Sequence, residues 1–123
     1  MEQLTKAEEP VMGILWKLKK AFVKDILNEL SEPKPPYNTV SSIVRVLENK
    51  GYVDHTAYGK THQYHPVISK STYRQSLFKN MMQEYFDGSY QQVVSHLVAE
   101  ENLSEVEIRE IEAIIENAKK KKP

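Results

Sequence analysis

Between Asn38 and Lys50 the chain sets short hydroxyls and one guanidinium on a frame of branched apolar residues, NTVSSIVRVLENK. Val40, Ile43, Val44 and Leu47 recur at i, i+3, i+4 and i+7, the spacing of one buried helix face. The other face is left with Thr39, Ser41, Ser42 and Arg45, and no acid falls in its first two turns. Such groups suit hydrogen bonding to duplex DNA. Arginine forks onto a guanine edge, while serine and threonine reach base edges or phosphate oxygens. Asn38 is placed to cap this helix, and free N–H groups at a helix start also favour phosphate. Further on, Ala57–His62 (AYGKTH) sets Lys60 in a turn beside Tyr58, Thr61 and His62, where it can reach a flanking nucleic-acid backbone.

Other chemistries are excluded more easily. With no cysteine, the chain has no disulfide, no thiolate-bound zinc and no thiol nucleophile. His62 and His65 stand three apart on a strand and so point to opposite faces; no metal site and no cofactor is expected. No nucleophile–base pair and no phosphate-binding loop occurs, so the chain is not expected to be an enzyme. Formal net charge is zero, but residues 1–75 carry 11 Lys+Arg against 8 Asp+Glu, and residues 76–123 carry 6 against 9. A first half at +3 and a second at −3 fits one part meeting phosphates and another meeting protein. The neutral total leaves an alternative, a module of the same fold that contacts a protein partner without DNA. Steep loss of affinity with salt separates the two.

The elements that must position these residues follow from caps and periodicity. Thr5 with Glu8 forms a capping box ahead of Val11, Ile14, Leu15 and Leu18. Pro10 lies inside that pattern, so either the first turn is kinked or the regular helix starts later than the cap. A second short helix carries Phe22, Val23, Ile26, Leu27 and Leu30, and the prolines of Ser31–Pro36 end it in a turn. Gly51 falls where a helix-terminating left-handed residue belongs. Tyr52–Thr56 and Gln63–Val67 read as the strands of a hairpin. The second half is helical: Ser71–Phe86, a short helix around Val93–Val98, and a last helix opened by Ser104 and Glu107 and closed by Lys119–Lys122.

The expected architecture is mostly α with a small β-hairpin. It comprises a winged helix-turn-helix DNA-binding domain over 1–70 and a helical dimerisation domain over 71–123. Leu77, Phe78, Met81, Tyr85, Val94, Leu97, Ile111 and Ile115 are expected at the dimer contact, because they exceed what about 50 residues can bury alone. No apolar run approaches the roughly 18 residues of a membrane span, and the N-terminus lacks a secretory pattern. No membrane insertion and a cytoplasmic location are therefore expected.

Four stretches carry a more specific likeness: LTKAEEPVMGILWKL from Leu4, NTVSSIVRVLENKGYV from Asn38, YGKTHQYHP from Tyr58, and FDGSYQQVVSHLVAEENLS from Phe86. In this order the chain resembles the penicillinase-repressor (BlaI/MecI) family of winged-helix transcriptional repressors. The resemblance implies a homodimer on a palindromic double-stranded DNA operator, with the C-terminal helices pairing the subunits. It also implies a membrane sensor-protease as a partner that triggers cleavage in the C-terminal half. Two positions depart from the family pattern. Its Asn-Phe cleavage pair aligns with His96-Leu97. The arginine that it carries just before the leucine of the recognition helix is Val46 here, with Arg45 one residue earlier.

Overall fold

The computed structural model describes residues 1–121. Its elements are α1 (Glu8–Leu18), β1 (Ala21–Phe22), α2 (Val23–Glu29), α3 (Tyr37–Asn49), β2 (Val53–Tyr58), β3 (Thr61–Pro66), α4 (Lys70–Phe86), α5 (Tyr90–Ala99) and α6 (Glu105–Lys121). The chain divides into two compact units, Met1–Leu77 and Phe78–Pro123. The expected fold class, mostly helical with a small sheet, is borne out.

In the first unit, three helices and the sheet enclose one core. Val11, Met12, Leu15, Ile26, Val40, Val44 and Leu47 are each at most 2% exposed. The periodic residues of α3 therefore face inward, although Ile43 is only half-buried. Tyr52, Tyr64 and Tyr73 complete the core, and Trp16 packs against it. The Trp16 indole N–H donates to the Ile68 carbonyl at 2.9 Å, and the Tyr73 hydroxyl accepts the Leu4 N–H at 3.1 Å. The first turn of α4 thus belongs to this core, which extends the unit beyond residue 70.

The capping box at Thr5 and Glu8 is present in both directions, at 2.9 and 3.2 Å. Regular helix nonetheless starts at Glu8. Pro10 has no N–H to give the Lys6 carbonyl, so the capping turn does not run on as continuous helix. Asn38 is not the cap of α3. The helix begins at Tyr37 behind Pro36, with no side-chain cap, and the Pro36 carbonyl accepts the Thr39 N–H at 3.0 Å. Proline's fixed φ suits that junction, which moves Asn38 into the first turn.

At its other end α3 stops as expected. Gly51 has φ +85°, its N–H donates to the Glu48 carbonyl at 3.0 Å, and the Tyr52 N–H donates to Leu47 at 2.9 Å. This is the paired-bond Schellman closure, with buried Tyr52 and Leu47 as its apolar contact.

The sheet is larger than the expected hairpin. β3 pairs with β2 on one side and with β1 on the other, through Ala21↔Tyr64 and Phe22↔Gln63. Phe22 therefore precedes α2 rather than opening it. The wing strands run to Tyr58↔Thr61, leaving a two-residue loop, Gly59-Lys60. Gly59 takes φ +63° at the first loop position, where tight hairpin turns favour glycine.

The second unit contains the remainder of α4 and the two following helices. Asp87 and Gly88 take positive φ between α4 and α5, and the Ser89 hydroxyl caps α5 by accepting from Gln92 at 3.2 Å. Ser104 and Glu107 form the expected second box at 3.2 and 3.1 Å. Lys122, the last of the closing lysines, lies outside the described residues.

One ion pair links the two ends of the first unit's helical frame. Lys50, at the end of α3, donates to both oxygens of Glu8 at 3.0 and 2.9 Å, and Glu2 lies 3.4 Å away. Glu8 is 5% exposed. Burial alone would push its carboxyl up, but the Thr5 N–H and the Lys50 ammonium together outweigh it and hold the carboxyl below its ordinary 4.5. The hydrogen bond to Glu8 in turn raises Lys50 above its ordinary 10.5, against a smaller opposing effect of burial.

A depressed carboxyl contributes stability that is complete above about 4.5 and lost as pH falls through the folded value. A raised amine contributes stability that is complete below about 10.5 and lost as pH rises past its folded value. Urea unfolding should therefore show Glu8→Ala destabilised by about 1–3 kcal/mol near neutral pH. The gap between wild type and variant should narrow once pH drops below 4.5. A gap that stays constant down to pH 3, on the order of one unit below the ordinary carboxyl range, would refute this role for Glu8.

Candidate nucleic-acid interface

Successive residues turn about 100° around a helix, so Ser41 and Arg45 stand within about 40° of each other. The Arg45 guanidinium donates to the Ser41 hydroxyl at 3.1 Å, on the face opposite the core. Asn38, Thr39, Ser42 and Arg45 are exposed, and Ser41 is half-buried. Beside this face lies the wing, and between them is an open cleft of about 420 Å³. Tyr37, Ser41, Arg45 and Glu48 line it from α3, Lys60, Thr61, His62 and Tyr64 from the hairpin, and Val23 from α2. The fold therefore brings Ser41, Arg45, Lys60 and His62 together. Asn38, Thr39 and Ser42 lie on α3 outside the cleft.

Four residues of this region, Glu48, His55, Tyr64 and Tyr37, are not among the expected contact residues. Glu48 is an acid on the cleft side of α3, one turn beyond Arg45, and its carboxylate meets Nδ1 of His55. The His55 ring stacks on that of His62 with centroids 4.0 Å apart and planes 8° from parallel. His55 pairs with Tyr64 across the hairpin, which makes His62 its diagonal neighbour. Burial, and then the nearby Glu48 charge, raises the Tyr64 phenol above its ordinary 10.0. Tyr37, half-exposed at the start of α3, supplies an aromatic edge to the cleft.

The basic residues of the first unit are not equally free. Lys34 donates to the carbonyls of Leu27, Asn28 and Leu30 at 2.8–3.0 Å and so closes α2. Lys50 is committed to Glu8. Lys60 and Arg45 are exposed, and neither has an acid within ion-pair distance among the described residues.

The family profile described as penicillinase repressor matches residues 4–117. The chain belongs to the penicillinase repressor family. It is 28% identical over 114 residues to the methicillin resistance regulatory protein MecI of Staphylococcus aureus (strain N315), covering 92% of this chain and 93% of that one. It is 26% identical over 121 residues to the penicillinase repressor of Bacillus licheniformis, covering 98% and 94%. The solution structure of the DNA binding domain of the repressor BlaI superposes with a TM-score of 0.51 at 29% identity, covering 58% of this chain and 88% of that domain. The family is one of repressors, not enzymes, in agreement with the absence of a catalytic constellation in the sequence.

On α3, Arg45 and its neighbour Val46 face in different directions. Arg45 points into the cleft, whereas Val46, about 100° further round, is exposed outside it. The guanidinium thus occupies the cleft side of α3. Among the described residues no helix is long and apolar enough to cross a membrane.

Proposed function

We propose that this penicillinase-repressor family member is a transcriptional repressor that binds duplex DNA sequence-specifically, as a homodimer on a palindromic operator. The observation that carries the DNA reading is the convergence of Arg45, Ser41, Lys60 and His62 on one cleft, in a fold shared with a repressor's DNA-binding domain. In this reading α3 enters the major groove, Arg45 and Ser41 meet base edges, and Asn38, Thr39 and Ser42 reach bases or phosphate at the groove wall. Lys60 and His62 meet the flanking backbone. Residues 1–70 then act as the DNA-binding domain and residues 71–123 as the dimerisation domain.

The dimer reading rests on apolar exposure. Leu77, Phe78, Met81, Tyr85, Val94, Leu97 and Ile115 are exposed and Ile111 is half-buried. Among the described residues of the second unit, Met82 is the one buried apolar side chain. Three amphipathic helices with so little interior need a partner surface, and a second copy supplies one with two-fold symmetry. The resemblance implies release by a membrane sensor-protease, but His96-Leu97 stands where the family has its Asn-Phe cleavage pair, so the matching pair is not present at that position. Both side chains are exposed within α5. A cytoplasmic location goes with this reading, because the operator would meet the protein there.

Arg45→Ala should lower affinity for the selected operator by about 1–3 kcal/mol while leaving scrambled duplex less affected. Lys60→Ala should weaken both and reduce the salt slope by about one. Gel shifts across a salt series measure both; unchanged affinity in Arg45→Ala, or a flat salt response in wild type, would sink the assignment.

For the dimer, Phe78→Asp and Ile115→Asp should shift the sedimentation mass from two chains to one without loss of helical circular dichroism. A wild type that sediments as a monomer at micromolar concentration counts against the dimer reading.

A further inference from the structure

Glu48, Asp54 and His55 each present one ligand atom, and the three atoms lie within 4.8 Å of one another. They come from two elements, α3 and β2, which the short Gly51 turn joins, and of the three Glu48 also lines the cleft. We propose that these three residues form a binding site for a divalent transition-metal ion, with Zn²⁺ the ion that their donor set suits. One imidazole and two carboxylates are ordinary zinc ligands at about 2.0–2.2 Å, so ligand atoms around a tetrahedral zinc stand about 3.4 Å apart. Side-chain rotation alone covers the difference.

The imidazole is held ready. His62 stacks on one face of the His55 ring at 4.0 Å, and Tyr64 lies with its ring 5.7 Å away, which fixes the plane of the ligand. Asp54 accepts the His55 backbone N–H at 2.8 Å through Oδ1, which leaves Oδ2 for an ion. Glu48 and His55 are half-buried while Asp54 is exposed, so the site is shielded on the protein side and open for entry. Two carboxylates against one imidazole carry net negative charge, which a divalent ion neutralises. Three protein ligands leave a fourth position for water.

Bound there, the ion joins the recognition helix to the first strand of the wing. It also cancels negative charge beside the surface that carries Arg45 and Lys60. The site shares no residue with the His62–His65 pair; what marks it is the proximity of its three ligand atoms. It uses residues whose proximity arises from the Gly51 turn between α3 and β2.

Isothermal titration of the full chain with zinc chloride, after removal of metal by chelator, tests the site without DNA. Wild type should take up one Zn²⁺ per chain saturably, and its melting temperature should rise with zinc. His55→Gln and Asp54→Asn should each weaken uptake about tenfold or more and abolish the thermal shift, while His65→Gln and His96→Gln should leave both unchanged. Circular dichroism in chelator establishes that each variant is folded. Should His55→Gln fail that check, Asp54→Asn, an exposed substitution, carries the test. No saturable uptake by wild type, or uptake that survives in folded Asp54→Asn and His55→Gln, overturns the proposal.

Discussion

Lys50 and Glu8 hold the first unit in register. Glu8 sits in the opening turn of α1 and Lys50 at the close of α3, so each charge also meets the favourable end of its own helix dipole. A carboxylate 5% exposed is tolerable in this core only because the Lys50 ammonium and the Thr5 N–H donate hydrogen bonds to it. The pair therefore fixes the far end of α3 relative to α1. Because Gly51 and Tyr52 are all that separate Lys50 from β2, it fixes the root of the wing as well. Through Glu2, and the Glu2 carbonyl that accepts from Tyr52, the N-terminal segment is drawn to the same point.

From that anchor the cleft follows almost without further choice. The Schellman closure turns the chain at Gly51, buried Tyr52 and Val53 seat the hairpin on the core, and the antiparallel register then sets His62 and Lys60 opposite Arg45 and Ser41. β1 braces β3 from the outer side, so the wing is the edge pair of a three-stranded sheet rather than an isolated hairpin, which alone is marginal in water. The arrangement places the Lys60 ammonium beside the helix face that carries Arg45. That suits a ligand that is itself a rigid, grooved polyanion.

Much of this was legible in the sequence because local physics set it. The capping boxes at Thr5 and Ser104, the apolar stripe of α3 and the glycine stop at Gly51 each rest on contacts within about one or two turns, and all appear in the structure. The misses have two causes, partners distant in the chain and local alternatives that the pattern does not rank. β1 has two residues, too few for alternation to show, and exists only because β3 offers it a partner. Asn38 looks like a cap until Pro36 is seen to start the helix one residue before it. Lys34 counts as a free cation in the sequence but is spent on three carbonyls of α2. Glu48, His55 and His62 come together across α3 and the hairpin, and no spacing rule within a single element reports such a meeting.

The two units also differ in how they resolve the apolar content of their sequence. In the first, fourteen apolar residues from Leu4 to Tyr73 close into one buried cluster, so the stripes of α1, α2 and α3 satisfy one another. In the second, the stripes of α4, α5 and α6 remain largely open: Tyr85, Val98, Val106 and Ile114 are all more than half exposed. The acidic residues of α6 occupy its polar face and cannot compensate for unburied isoleucine. Pairing with a second copy, as proposed, would resolve this with no new sequence, since the same stripe would serve as both donor and acceptor of burial. Such pairing would also bring two copies of α3 to one DNA, which would link the apolar second unit to the function proposed for the first.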